Sequence, residues 1–560
     1  MLDKLLGDRY AKDRKYFKLL FIVYLFTNTL ALGYFGITFN PLCLFVFGYG
    51  AIILIYSFIK GEFFYSKNHL LIIGLYGLLL FIATYLNKEY SNKNSFLIAG
   101  MQMIIFLLIF GQPRSMTLKK LKQELQCIIP LTCILVGIAS FISLGMYFLN
   151  ISGTQNGWYI GLVGTRLFGV YFNCNPASFL AVIVILLSLV AIKNHYKGEF
   201  LYYMNIIIQL GYIILTQCRA AIIILAIVVT AVLYYHFFRA KEISRVKKIC
   251  LNLVMCLCIL SATVVVNKVA FIIPQLQGAT EEDGGRFQLS KLKEIVSLTM
   301  SGQLQNIPKI IHLVDDVSSG RVTLAKDSLD VWQKSPIQGI GAGNFRSMLV
   351  DTTSNDTWGQ QILHSHNVFL ESLITAGVFG FLLFFIFFIK TLFTTRDILI
   401  KYKNKKSYYI ILLFIMIYVS EFIGGLLDFG VFYVYSLSAT LAWLFLGYIY
   451  WLNDQPDMSL VDNTNIAIFN KYDLLSIQYQ KQEIDVLKPE FVVLETKYQE
   501  DDYIMKVQYL LGESSFVYDV YYTLHDNKRD EDIIEKELAR DFYSLIKDEM
   551  TNIYEQSHIK

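Results

Sequence analysis

The chain has 560 residues, 17% of them charged and 55% hydrophobic, with a mean hydropathy of +0.47. A soluble protein carries roughly 25% charged and 45–50% apolar residues, so these figures exclude a disordered chain, a collagen and a disulfide scaffold, and point to a polytopic membrane protein. A net charge of +4 with no polybasic tract excludes nucleic-acid binding, and eight cysteines without a C-x-x-C pair exclude zinc ribbons and thioredoxin-like chemistry.

Taken from the N-terminus, twelve apolar runs are each long enough to cross a bilayer: near 16–38, 41–59, 69–86, 95–111, 126–149, 175–192, 200–217, 219–238, 249–273, 367–389, 408–427 and 430–452. The first follows Asp13-Arg14-Lys15 and reads as an uncleaved signal-anchor. Lys and Arg collect in alternate loops, 24 of them on one side, against Lys88, Lys93, Arg166 and Arg219 in the short loops of the other. The basic side is cytoplasmic by the positive-inside rule, so both termini are expected on the cytoplasmic side of the membrane. Residues 274–366 form one long external connection with helical patterns at 287–299 and 320–334, expected to be a folded lobe.

Charge divides the chain again after Leu452. Residues 453–560 carry 23 acids and 11 bases, a net of −12, which leaves +16 for residues 1–452. The tail alternates apolar and polar residues over 466–469, 474–479, 491–498, 503–510 and 515–524, then takes a helical period over 530–555. The expected fold class is thus an all-α polytopic membrane protein of about twelve spans, residues 1–452, with an external helical lobe at 274–366. A small acidic α+β domain at 453–560 follows as a cytoplasmic accessory module, and no catalytic motif is legible in it.

Candidate chemistry sits at the outer ends of the spans. Arg166 and Arg219 stand in short outer loops that hold few other bases. An arginine at the membrane boundary either snorkels to headgroups or meets an anionic partner. Arg321 falls in the first turn of an expected helix capped by Ser319, with Val322, Ala325, Leu329 and Trp332 on one face. Free N–H groups beside a guanidinium there suit a phosphate. The turn Gly339-Ile340-Gly341-Ala342-Gly343 permits a tight backbone path, but it is neither a dinucleotide fingerprint nor a Walker loop. His364-Ser365-His366-Asn367 precedes the tenth run: a histidine there suits general base work, Asn367 can orient a neighbour, and a metal would need further ligands. Glu421 and Asp428 are expected to pair with arginine.

The run from Arg321 through Trp332, Pro336, Gly339, Gly341, Gly343 and Phe345 to His366, Asn367, Ala376, Gly377 and Gly380 resembles the O-antigen ligase and polymerase superfamily, as do Arg166, Gly169, Asn175-Pro176 and Cys218-Arg219-Ala220 upstream. The resemblance implies a metal- and cofactor-independent glycosyltransferase acting outside the membrane on a polyprenyl-diphosphate-linked glycan. By that resemblance His366, Arg321 and Arg219 are catalytic. Arg166, His364, Asn367, Gly341 and Gly343 bind substrate, and membrane lipid and other polysaccharide-assembly proteins are partners. A composition rich in Ile, Lys, Asn, Phe and Tyr matches AT-rich bacteria, several of them without a lipid A acceptor, which favours a capsular or exopolysaccharide polymerase over a ligase. A lipid-linked oligosaccharide flippase suits twelve spans but would place its ionisable groups at mid-membrane, and a sensor with a signalling tail is the remaining alternative.

Overall fold

The computed structural model describes residues 2–37, 40–62, 67–237, 254, 261, 289–301, 307–318, 320–352, 364–403, 405, 407–427, 430–432, 434–455, 468–469, 490–499, 502–511 and 514–523. The chain divides into two compact units, Met1–Lys401 with Tyr409–Asp454, and Tyr402–Tyr408 with Gln455–Lys560.

The first unit is helical. Its helices are α1 (Leu2–Thr29), α2 (Leu42–Lys60), α3 (Lys67–Leu86), α4 (Lys93–Ile104), α5 (Leu118–Phe148), α6 (Cys174–Lys193), α7 (Glu199–Thr216), α8 (Arg219–Phe237), α9 (Leu289–Met300), α10 (Ile307–Ser318), α11 (Arg321–Gln333), α12 (Phe345–Thr352), α13 (Val368–Lys401), α14 (Tyr408–Leu427) and α15 (Leu437–Asp454). Among the described residues, eight helices are long and apolar enough to cross a membrane: α2, α3, α4 with the π-helical Ile105–Phe110, α5, α6, α7, α13 and α14. The protein is therefore a polytopic, mostly helical membrane protein. Three further expected runs are α1, α8 and α15, and the run at 249–273 lies outside the described residues.

The interior of the bundle is built on α6 and α15, both apolar around nearly their whole circumference, as a helix surrounded by other helices must be. Arg14 was expected in a cytoplasmic loop, but α1 is continuous from Leu2, so Arg14 and Lys18 are carried inside and buried. Arg14 Nη2 donates to Leu108 O at 2.7 Å and also to Gly111 O, at the end of the π segment. Lys18 Nζ donates to Glu124 Oε2 at 2.7 Å and to Gln112 Oε1 at 3.0 Å, and the Tyr448 hydroxyl donates to the same carboxylate at 2.7 Å. Buried charges persist only when paired and hydrogen-bonded in this way.

Between α5 and α6 the chain forms an antiparallel sheet, β1 (Ser152–Gln155), β2 (Trp158–Val163) and β3 (Arg166–Gly169). The β1–β2 turn is Asn156-Gly157, both at positive φ (53° and 75°), the left-handed pair a two-residue hairpin of this kind requires. In the second unit, β4 (Ile468–Phe469) lies parallel to β7 (Ser514–Thr523), β7 pairs antiparallel with β6 (Asp502–Leu511), and β6 pairs antiparallel with β5 (Glu490–Gln499). Four of the expected tail strands are these; 474–479 and the helical period at 530–555 lie outside the described residues.

Candidate functional site

Three segments far apart in sequence bring the arginines together. Arg166 opens β3; its Nε donates to Thr216 O, the last residue of α7, at 2.9 Å, and its Nη2 donates to Asn175 Oδ1 in α6 at 2.7 Å. The two-residue turn between α7 and α8 is fixed to the sheet, with Gln217 at φ 51° and its Nε2 donating to Thr165 O at 2.9 Å. Arg219 follows that turn as the first residue of α8, and it interacts electrostatically with Arg321 and Arg166. Like charges gathered from β3, α8 and α11 repel one another, and an anion placed among them removes the repulsion.

Arg321 is the first residue of α11, as expected, but the helix start is built differently. Gly320, at φ 79°, precedes it without a side-chain cap, and Ser319 lies outside the described residues. The capping group is Asp315 from the end of α10. Its carboxylate accepts from Val322 N at 2.8 Å, Thr323 N at 3.1 Å and Thr323 Oγ1 at 2.5 Å, and its carbonyl accepts from Gly320 N at 2.8 Å. The Val322 and Thr323 amides, expected to be free for phosphate, are thus occupied by Asp315. The buried face of α11 is also turned from the expected one. Leu324, Asp327, Ser328 and Val331 face inward, while Val322 and Leu329 are 38% and 41% exposed. Leu324 and Val331 cluster with Phe345, Met348 and Leu349 of α12 and Ile374 of α13.

The glycine-rich turn serves packing. Ile340 N and Gly341 N donate to Ile374 O and Thr375 O, both at 2.9 Å, and Val378 N donates to Pro336 O at 3.0 Å. The turn therefore inserts into a break in α13 at Gly377, whose φ of 66° and ψ of −172° interrupt the helix. A Cβ at Gly341 would collide with the Thr84 backbone of α3, and one at Gly343 would press on the Ile98 side chain at 2.9 Å. Asn344 is fully buried, donating to Ser91 Oγ at 2.6 Å and Ile340 O at 2.8 Å and accepting from Ser95 Oγ at 2.9 Å. Gly341 and Gly343, expected to contact substrate, allow three helices to close around this loop.

His366 sits before α13 in the left-handed region, φ 55°, uncommon for a residue with a side chain. The His364 ring lies 4.3 Å from its ring, centroid to centroid. Asn367 is the cap of α13: its Oδ1 accepts from Phe369 N at 3.0 Å and Leu370 N at 3.1 Å, and its Nδ2 donates to Leu426 O at 3.2 Å. Its polar atoms hold the helix start, with no hydrogen bond to the His366 ring among those described. Glu371, which closes the run His-Ser-His-Asn-Val-Phe-Leu-Glu, is 5% exposed in the first turn of α13. Its Oε2 accepts from Ser365 N at 2.9 Å and Ser365 Oγ at 2.8 Å, and its charge interacts with His366. Glu421 is buried in α14, and Asp428 lies outside the described residues. Among the described residues, no three His, Cys, Asp or Glu side chains converge on a metal-sized point.

Residues 204–385 match the family described as O-antigen ligase. This match supports the resemblance of the chain to the O-antigen ligase and polymerase superfamily. The matched stretch takes in Arg219, Arg321, the glycine-rich turn and His364–Asn367; Arg166 and the acidic tail fall outside it. No curated protein matches the chain. The match implies a membrane enzyme of surface-glycan assembly, of ligase or polymerase type.

Proposed function

We propose that the protein is a glycosyltransferase working on the outer face of the bacterial cytoplasmic membrane, where it polymerises polyprenyl-diphosphate-linked oligosaccharide units into a surface polysaccharide. The observation that supports this most is the gathering of Arg166, Arg219 and Arg321 in a chain that matches this family. The donor's leaving group is a diphosphate, which gains negative charge as the anomeric bond breaks, and guanidinium groups stabilise that charge without a metal. The acceptor's hydroxyl oxygen attacks the anomeric carbon. The anomeric C–O bond breaks, its electron pair leaves with the diphosphate, and His366 takes the hydroxyl proton. A single displacement of this kind inverts the anomeric configuration. His364, ring to ring with His366, assists it against the acceptor.

Transfer to a different acceptor is the second reading, favoured by the matched family's description as a ligase. Deletion of the gene and gel analysis of surface and lipid-linked glycan separate the readings. Single repeat units are expected for a polymerase. Long lipid-linked chains left unattached mean a ligase, and loss of all external glycan means a flippase and contradicts the proposal.

A further inference from the structure

Glu371 is a carboxylate placed where burial costs most. It lies at the membrane end of α13 with 5% of its surface exposed, and a buried ionised carboxylate is tolerated only beside donors or a positive charge. The usual use of an acid in a first helical turn is to reach back to the N–H of the capping residue. Glu371 does something else. The cap is Asn367, and the carboxylate passes it by to take both the backbone N–H and the hydroxyl of Ser365, two residues before the cap. The Ser365 hydroxyl also lies 3.2 Å from Asn367 O. His366 is therefore held from both sides, by Ser365 bound to Glu371 and by Asn367 bound to α13 and Leu426. A left-handed backbone on a residue with a side chain costs about 1 kcal/mol or more and persists only where its surroundings over-determine it. The two clamps are those surroundings.

From this geometry we infer that Glu371 is a positioning residue for His366. It fixes the strained segment that aims the imidazole, and its buried charge stabilises the imidazolium formed when His366 accepts the acceptor's proton. The inference rests on the general-base reading of His366 given above, and it assigns Glu371 a role that acts wholly through that histidine. Gln at 371 keeps an oxygen for the two Ser365 donors and removes the charge, so it separates the electrostatic part from the clamp.

The test uses full-length protein in membranes, with the lipid-linked glycan that accumulates in cells lacking the enzyme as donor. Glu371→Gln should lower kcat at least tenfold with KM within about twofold. His366→Ala should lose roughly 10²–10⁴-fold, and adding Glu371→Gln to His366→Ala should cost nothing more, because two residues that act as a unit are not additive. A purely structural role for Glu371 predicts a further loss in the double variant, and that result overturns the inference. So does a Glu371→Gln enzyme with wild-type kcat alongside an inactive His366→Ala, which leaves the general-base reading standing. An active His366→Ala removes that reading and this inference together. If Glu371→Gln does not accumulate, Ser365→Ala provides the same comparison: kcat lowered severalfold alone, and no further loss on top of His366→Ala.

Discussion

Arg321 begins α11, the poorest place on a helix for a cation by a few tenths of a kcal/mol, and Asp315 compensates by taking the first-turn amides. What remains for an anion is a planar fork with several donors, so lysine is not an equivalent replacement. Arg321→Lys and Arg219→Lys should each lower transfer at least tenfold, about 1.4 kcal/mol in the transition state, measured in membranes at matched protein levels. Wild-type turnover in either variant would reduce that arginine to a structural charge. Arg166 and Arg219 were legible in the sequence because the short loops expected outside hold so few bases, and Arg321 because it opens an expected helix. Asp315 was not, and Glu371 stood in the His-Ser-His-Asn run without a legible role, since their meaning comes from atoms six to eight residues away across a turn. Gly341 and Gly343 carry the opposite lesson. A missing Cβ serves the approach of a ligand or of another backbone equally well, and only the position of Thr84 decides which.

At the scale of elements, the break in α13 fixes how the lobe meets the bundle. Gly377 has a backbone conformation essentially reserved for glycine, and its missing Cβ makes room for Ile337 O. Gly377→Ala should destabilise the protein by at least about 2 kcal/mol and sharply lower its amount in membranes, whereas Gly343→Ala should accumulate, because the Ile98 side chain can move aside. Equal amounts of the two would mean the inserted turn is not a structural anchor. Asp315→Ala removes the cap of α11 at a cost of about 1 kcal/mol, and activity should fall more than protein amount because Arg321 leads that helix. The sequence pattern placed α11 correctly but not its face. Val322, Ala325, Leu329 and Trp332 have helical spacing, yet the packed face is Leu324, Asp327, Ser328 and Val331, chosen by α12 and α13 rather than by hydropathy. The β1–β2 hairpin was legible in Asn156-Gly157 but was masked by the surrounding apolar spans.

For the whole molecule, the helical plan follows from composition alone, because long apolar runs have few alternatives in a bilayer. Arg14 and Lys18 show where that reasoning stops: a basic cluster at a span end reads as a cytoplasmic loop unless Glu124, Gln112 and Gly111 are known to lie beside it. Truncation after Leu452 removes the acidic tail, and transfer in membranes should survive it, with amount or chain length altered. Complete loss at normal protein levels would give the tail a share in the chemistry. The account as a whole turns on transfer of a lipid-linked glycan outside the membrane with His366 taking the proton. The most direct measurement is the size and accessibility of lipid-linked glycan in cells whose enzyme is replaced by the His366→Ala variant at wild-type levels. The account predicts single lipid-linked repeat units, open to an added external glycosidase, with polymer lost. Lipid-linked glycan trapped on the cytoplasmic side, or polymer of normal length, would contradict it.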